Sequence, residues 1–260
     1  VAGKDRKKEL ARQRYERQQE RRAAEEAAAK RRSVIGAAVA TAVVVLGVAG
    51  AAYAITKGGE DELADDPTVA APTAKPGECL YTEPASGEKA AKDVGMPPVK
   101  PAHDGDVKAT VKTSVGEMTF TLDGENAPCT VNSFAHLAAE KYFDGTECHR
   151  LTGNVLQCGD PTGSGSGGPG YEFANENTEG AKYKKGVLAM ANAGPGTNGS
   201  QFFIVYKDWD DLPADYSIFG TVSSGLDKVE DVAEAGSEPP SDGKPKKKVE
   251  INSISIAKNE

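Results

Sequence analysis

The chain has 260 residues, enough for one large domain or two small ones, and its net charge of −8 is unevenly spread. Residues 1–32 hold 12 Lys/Arg against 6 Asp/Glu, a net of +6, which leaves −14 on the remainder. An acidic remainder excludes nucleic acid as the main partner of the folded part, because phosphate binding needs clustered positive charge.

Within residues 1–33, Lys4 to Arg32 is rich in Arg, Glu, Gln, Lys and Ala, with only Leu10, Tyr15 and alanines to form an apolar face. The segment reads as a solvated helix or a disordered basic tail. Val34 to Ile55 follows, 22 residues without a charge. As a helix it would be about 33 Å long, enough for a hydrocarbon core of about 30 Å. Lys30, Arg31 and Arg32 precede it, and Glu60, Asp61 and Glu62 lie beyond it. The positive-inside rule then gives a single-pass cell-membrane protein, with residues 1–33 cytoplasmic and the rest outside. The competing reading is secretion after cleavage near Ala54, since Ala52-Tyr53-Ala54 has the small-x-small form of a signal-peptidase site. The apolar run is longer than the 7–15 residues or so usual for a signal peptide, which favours the anchor.

Residues 56–105 form a linker by composition, acidic and dense in proline. Extended, mobile chain is expected there. The patch Cys79-Leu80-Tyr81 is apolar enough to dock on a folded domain.

The pattern changes at Asp106, and residues 106–258 read as one domain. Val107, Ala109 and Val111 alternate with polar residues, as do Met118, Phe120 and Leu122, which predicts a hairpin of two half-buried strands. Thr130 is placed to cap a helix carrying Val131, Phe134, Leu137 and Ala138 on one face. Further strands are expected at Glu147 to Leu151, Val155 to Cys158, Gly186 to Ala191, Phe202 to Tyr206, Ser217 to Val222 and Val249 to Ile256. A second helix is expected from about Gly225 to Glu234. Many short strands with two helices suggest a mainly β fold, closed or sandwich-like.

Several chemistries fail on spacing. Gly163 to Gly168 lacks the Gly-Lys-Ser/Thr ending of a phosphate loop and reads as a surface loop. No pair among His103, His136, His149, Cys148, Cys158 and Asp160 has zinc-finger spacing, so no metal is expected. No Gly-x-Ser-x-Gly elbow is present, which argues against a serine hydrolase. Four cysteines in a domain outside the cytoplasm favour disulfides, in one of three connectivities. Cys148 and Cys158 on consecutive strands can bridge, which would leave Cys79 with Cys129; a Cys129–Cys148 bridge stands as a rival.

Five blocks then occur in one order. They are His149-Arg150-Leu151, Gln157-Cys158-Gly159-Asp160, Met190-Ala191-Asn192-Ala193-Gly194-Pro195, Thr197-Asn198-Gly199-Ser200-Gln201-Phe202-Phe203 and Ile218-Phe219-Gly220. In them, residues 106–257 resemble the cyclophilins, which are peptidyl-prolyl cis-trans isomerases. The entry to the first helix and the Leu-Gln-Cys-Gly-Asp block are similar to membrane-bound or secreted bacterial members, actinobacterial ones in particular. The resemblance implies an eight-stranded antiparallel closed β-barrel capped by two helices. It implies Arg150, Gln157, Asn192 and Gln201 as catalytic residues, and Met190, Ala191, Phe203, Leu212 and Tyr216 as the substrate surface. No cofactor is implied, the partners are proline-containing polypeptides, and a monomer is expected. The activity would assist protein folding outside the cytoplasm; the alternative is a weakly or non-catalytic module that binds proline-containing or unfolded chains.

Two departures from the family pattern matter. Arg150 and Gln157 stand one residue closer than usual, and the pocket phenylalanine has no counterpart, with Asn154 or Val155 nearest. A shallower proline pocket follows. Asp211 occupies the place of a cyclosporin-binding tryptophan, and Trp209 lies two residues earlier, so weak cyclosporin binding is expected. Tyr216 replaces the usual pocket histidine.

Overall fold

The structure is a computed structural model and describes residues 75–257. The basic segment and the Val34–Ile55 span lie outside the described residues. Among those described, no helix is long and apolar enough to cross a membrane.

Eleven strands and two helices follow in order: β1 (Asp106–Thr113), β2 (Gly116–Asp123), α1 (Pro128–Ala139), β3 (Thr146–Glu147), β4 (Arg150–Thr152), β5 (Val155–Cys158), β6 (Val187–Met190), β7 (Phe202–Val205), β8 (Ile218–Ser224), α2 (Leu226–Ala235), β9 (Ser237–Glu238), β10 (Asp242–Pro245) and β11 (Glu250–Ile256). All pairings are antiparallel, in the order β3-β11-β1-β2-β8-β6-β7-β5-β4-β10-β9.

The mainly β, antiparallel, two-helix expectation matches; the count of eight strands does not. The strand expected at Glu147 to Leu151 is divided between β3 and β4, and β9 and β10 arise in a stretch whose glycine and prolines gave no strand pattern. The division has a consequence for shape. β3 pairs with β11, while β4, three residues on, pairs with β5 and β10. Cys148 N–H donates to Val249 O at 2.9 Å and His149 N–H to Gln157 O at 3.1 Å. One short segment is thus bonded to strands far apart in the sheet order, which requires the sheet to curl.

Side-chain alternation gives the curled sheet two apolar faces. Leu151, Leu156, Leu188, Met190, Phe202, Ile204 and Phe219 go to the interior cluster. Val155, Ala189, Phe203 and Val205 go to a second cluster on the other face. Helix α1 covers the interior with Val131, Phe134, Leu137 and Ala138, and the Phe134 ring meets Phe202 edge-on at 5.5 Å.

Thr130 does not cap α1. Pro128 lies in its first turn and Ala127 is the cap position, without a side-chain bond. Glu176 caps it from a distant loop: Oε1 accepts from Cys129 N–H at 3.0 Å, and Oε2 from Thr130 N–H at 2.7 Å. A carboxylate there satisfies orphan donors and complements the helix dipole.

Residues 75–105 also differ from the expected mobile linker. They lie along the domain as an arm. Cys79 is bonded to Cys129, and the Tyr81 ring meets Tyr171 and Phe173 edge-on at 5.5 and 5.6 Å. Thr82 and Glu172 exchange main-chain bonds, and Ala91 N–H donates to Gly168 O at 2.9 Å. A disulfide and a buried tyrosine supply what the polar composition of this segment lacks.

Candidate active site

The site lies on the outer face of β4, β5, β7 and β6, where register fixes its members. Arg150 on β4 is opposite Gln157 on β5, Gln157 is opposite Phe203 on β7, and Phe203 is opposite Ala189 on β6. A row of side chains thus runs from a cation, through an amide, to an aromatic ring.

Hydrogen bonds join the polar part of that row. Arg150 Nη1 donates to Gln157 Oε1 at 3.2 Å, Gln157 Nε2 to Gln201 Oε1 at 2.8 Å, and Gln201 Nε2 to Gly167 O at 3.0 Å. Arg150 also donates Nε to Asp242 Oδ1 at 2.7 Å and Nη2 to Asp242 Oδ2 at 2.9 Å. The fork-to-carboxylate pairing fixes the plane of the guanidinium. The bond to Asp242 strengthens the hold on the Arg150 proton, and Arg150 holds the Asp242 carboxyl below the usual carboxylate range.

The apolar part is compact. Phe203 is buried, with the Tyr216 ring edge-on at 5.7 Å and the Tyr183 ring at 6.3 Å. Val155, Leu212 and Trp209 belong to the same cluster. Val155, not Asn154, therefore takes the place left by the missing aromatic: Asn154 turns away and donates Nδ2 to Asp208 O at 2.8 Å. The Tyr183 hydroxyl donates to Tyr216 O at 2.9 Å and accepts from Tyr216 N–H at 3.0 Å, which fixes the loop carrying Tyr216.

One expected site residue has another position, and a second, Asn192, lines the site with its side chain engaged within the protein. Met190 packs in the interior cluster, because it shares strand parity with Leu188 rather than with Ala189. It cannot line a groove with Phe203, and the adjacent Ala191, which packs on the outer cluster, does so instead. The Asn192 side chain is occupied within the protein, donating Nδ2 to Asp215 O at 3.0 Å and accepting from Gly194 N–H at 3.2 Å. It ties the 192–197 loop to the loop that holds Leu212 and Tyr216.

The glycine-rich stretch is an ordered wall rather than a loose loop. Asp160, fully buried, accepts from Thr162 N–H and Oγ1, both at 2.7 Å, and from Gly165 N–H at 2.6 Å. Burial works against its charge, but these bonds outweigh it and keep the carboxyl below its ordinary range. Both disulfides are present as Cys148–Cys158 and Cys79–Cys129. The first brackets the β4–β5 hairpin that carries Arg150 and Gln157. Among the described residues no cluster of His, Cys, Asp or Glu could hold a metal ion.

A family model described as cyclophilin type peptidyl-prolyl cis-trans isomerase/CLD matches residues 108–256, more than half of the chain. The chain belongs to the cyclophilins. This cyclophilin is 45% identical over 199 residues to the probable peptidyl-prolyl cis-trans isomerase B of Mycobacterium tuberculosis, with 68% of this chain and 63% of that protein covered. It is 39% identical over 167 residues to peptidyl-prolyl cis-trans isomerase B of Streptomyces anulatus, covering 57% of this chain and 95% of that one. The chain therefore spans under two thirds of the mycobacterial relative and nearly all of the streptomycete one. A crystal structure of a Cryptosporidium parvum cyclophilin-type isomerase superposes with a TM-score of 0.55 at 33% identity, covering 60% of this chain and 99% of that chain. The same protein in the presence of the dipeptide Ala-Pro gives 0.54 at 34% identity, covering 58% and 99%.

Arg150, Gln157, Gln201 and Phe203, expected from the motif blocks, come together on one face; Asp242 and Tyr183 were not expected there, and of the arm only the Cys79-Leu80-Tyr81 patch and the Cys79–Cys129 pairing were. Asp242 lies 92 residues from Arg150 in a stretch with no recognised element. Tyr183 follows a loop where an aromatic has no periodic partner. Neither has a local signal.

Proposed function

We propose that this cyclophilin is an active peptidyl-prolyl cis-trans isomerase. The observation that carries the reading is the row Arg150–Gln157–Gln201 beside the Phe203 cluster on one sheet face. Rotation about an X–Pro bond is opposed by a barrier of roughly 18–20 kcal/mol from amide resonance. Lowering it needs no nucleophile and no cofactor. It needs an apolar seat for the pyrrolidine ring and a donor for the prolyl nitrogen as its lone pair localises in the twisted state. Phe203, Val155, Leu212 and Tyr216 supply the seat. Arg150 supplies the donor, always charged and oriented by Asp242 and Gln157. Gln201 adds a polar contact beside the seat. A protease-coupled proline-peptide assay tests this: the chain should accelerate isomerisation, and Arg150→Ala should lower kcat/KM by about 10²–10³, the range for loss of one donor to a developing charge. An unchanged rate in Arg150→Ala would remove the catalytic role.

A second reading rests on Val155. An aliphatic side chain where the family pattern has an aromatic one makes a shallower seat, which suits a module that grips proline segments with little turnover. Peptide affinity without acceleration in the same assay would favour it.

The finer proposals concern place and partners. Two disulfides favour an oxidising compartment, and the basic segment followed by Val34–Ile55 favours a single-pass anchor with the isomerase domain outside the cytoplasm. The clients would then be proline-containing chains folding there. Mass spectrometry of the mature N-terminus separates an anchored chain from one cleaved near Ala54. Asp211, exposed and acidic, supports weak cyclosporin binding; inhibition at nanomolar drug would contradict it.

A further inference from the structure

Beside the catalytic row is a cavity of about 310 Å³ whose floor includes Gln157 and Gln201. One wall is the 165–170 loop, and another is the loop from Ala191 to Thr197. A further part of the lining, at Pro84 and Glu88, comes from the arm, outside the matched residues 108–256. The arm is pinned on both sides of Glu88. Thr82 N–H donates to Glu172 O at 3.0 Å and Thr82 O accepts from Glu172 N–H at 2.7 Å, while Ala91 N–H donates to Gly168 O at 2.9 Å. Gly170 makes this closeness feasible, since a Cβ there would come within 2.8 Å of Ala90 Cβ. Pro84 to Glu88 is therefore a fixed part of the lining.

Its chemistry is one-sided. Glu88 and Glu172 both line the cavity, and no Lys or Arg does. Neither carboxylate is in an ion pair among the described residues. The two amides of the floor belong to the row that begins at Arg150, so an occupant lies within a residue or two of the X–Pro bond being turned.

We propose that the arm makes this cavity a specificity subsite, in which Glu88, with Glu172, selects a Lys or Arg side chain flanking the X–Pro bond of the polypeptide substrate. The inference rests on the isomerase reading above. It adds a preference set by a segment outside the matched family residues. The Pro84 ring and the glycine-rich wall cover the aliphatic stem of the incoming side chain, and the carboxylates meet its head group. Because Glu88 is exposed, the attraction is modest and salt-dependent.

The test uses the full chain and proline peptides carrying Lys, Ala or Glu at each position flanking the X–Pro bond. At low salt the best Lys peptide should exceed its Ala counterpart by about two- to fivefold in kcat/KM, as expected for one partly exposed ion pair, and the Glu peptide should fall below both. Glu88→Gln should bring the Lys-to-Ala ratio close to one, and Glu88→Lys should invert it; Glu172→Gln should lower it less. A ratio of one in the unmodified chain, or a ratio unmoved by both Glu88 substitutions, overturns the subsite. Absence of turnover on every peptide would instead overturn the isomerase reading. In that case dissociation constants for the same peptides, from fluorescence anisotropy, supply the same ratio and decide the subsite.

Discussion

Arg150 and Asp242 meet through two parallel hydrogen bonds, Nε to Oδ1 at 2.7 Å and Nη2 to Oδ2 at 2.9 Å, which leaves Nη1 directed at Gln157. Strand pairing explains the meeting. β10 lies against β4 with Asp242 opposite Thr152, two residues from Arg150. The pair is well exposed, 45% and 58% by side chain, so it contributes little to stability. Its effect is on orientation: a guanidinium held by two bonds enters the reaction with less rotation to lose. Asp242→Asn should therefore lower kcat/KM by about two- to fivefold with little change in thermal midpoint. Arg150→Lys should lose far more, since an ammonium cannot make the forked pair and also reach Gln157. Because Arg150 holds the Asp242 carboxyl below its usual range, the pairing is intact at neutral pH and is lost as pH falls through that lowered value. A pH profile of kcat/KM whose acid limb disappears in Asp242→Asn is the check.

Gly167 is a second control point, through its lack of a side chain. A Cβ there would lie 2.2 Å from Asp160 Oδ1 and 2.8 Å from Thr162 Cγ2. Asp160 cannot give way without releasing the bonds that shape the loop, and Gly167 O is the acceptor for Gln201. Gly167→Ala should cost about 1–3 kcal/mol of stability, the usual range for overpacking, and loosen Gln201. Gly153→Ala, with open space around the added methyl, should stay within about 0.5 kcal/mol. Urea denaturation of the two variants makes the comparison.

These two relationships mark where the sequence was readable. Strand parity is visible in one dimension, so Phe202 inward and Phe203 outward, and the pairing of Arg150 with Gln157 across a hairpin, could be read from alternation and the motif blocks. The same parity places Met190 inward, where the motif alone had put it in the groove. Partners separated by long stretches of chain were not readable. Glu176 reaches the start of α1 across 47 residues, and no local pattern anticipates it. The arm was readable only in part: proline and acidic residues describe how a free chain behaves, whereas the patch at Cys79 and Tyr81, which does hold it to the domain, was the one local sign of docking.

The two disulfides should separate in their effects. Cys79–Cys129 spans 50 residues and Cys148–Cys158 spans 10. Chain-entropy arguments put their ceilings at about 4 and about 3 kcal/mol, respectively. Replacing Cys79 and Cys129 by serine should cost more stability and free the arm, leaving the Arg150–Gln157 hairpin intact. Replacing Cys148 and Cys158 should cost less stability but more kcat/KM, because that bridge closes the hairpin bearing both residues. Calorimetry and the peptide assay on both double variants should give opposite rankings; the same ranking in both would count against this division of roles.

His149 makes acid stability the most direct test of the site's construction. It is 9% exposed, neither ring nitrogen makes a hydrogen bond of normal geometry among the described residues although the Gln201 side chain is beside it, and Gly165 is close to the ring. Burial lowers its pKa below the ordinary 6.5; the Asp160 carboxylate opposes this, the Arg150 charge adds to it, and the Gln201 side chain opposes it weakly. The imidazole is thus neutral in the folded chain at a pH where the unfolded chain already binds a proton. Its contribution to stability is full above about pH 6.5 and is lost as pH falls from there through the lower folded value. His149→Phe, which keeps the ring and removes the titration, should flatten the decline of unfolding free energy between about pH 6.5 and 5 while leaving stability at pH 8 within about 1.5 kcal/mol, the usual range for a volume-conserving exchange. Urea midpoints across that range measure it. A decline of the same steepness in His149→Phe would remove His149 as its source; Asp160 and Asp242 would not replace it, because carboxyls held below their ordinary range give up stability only below about pH 5.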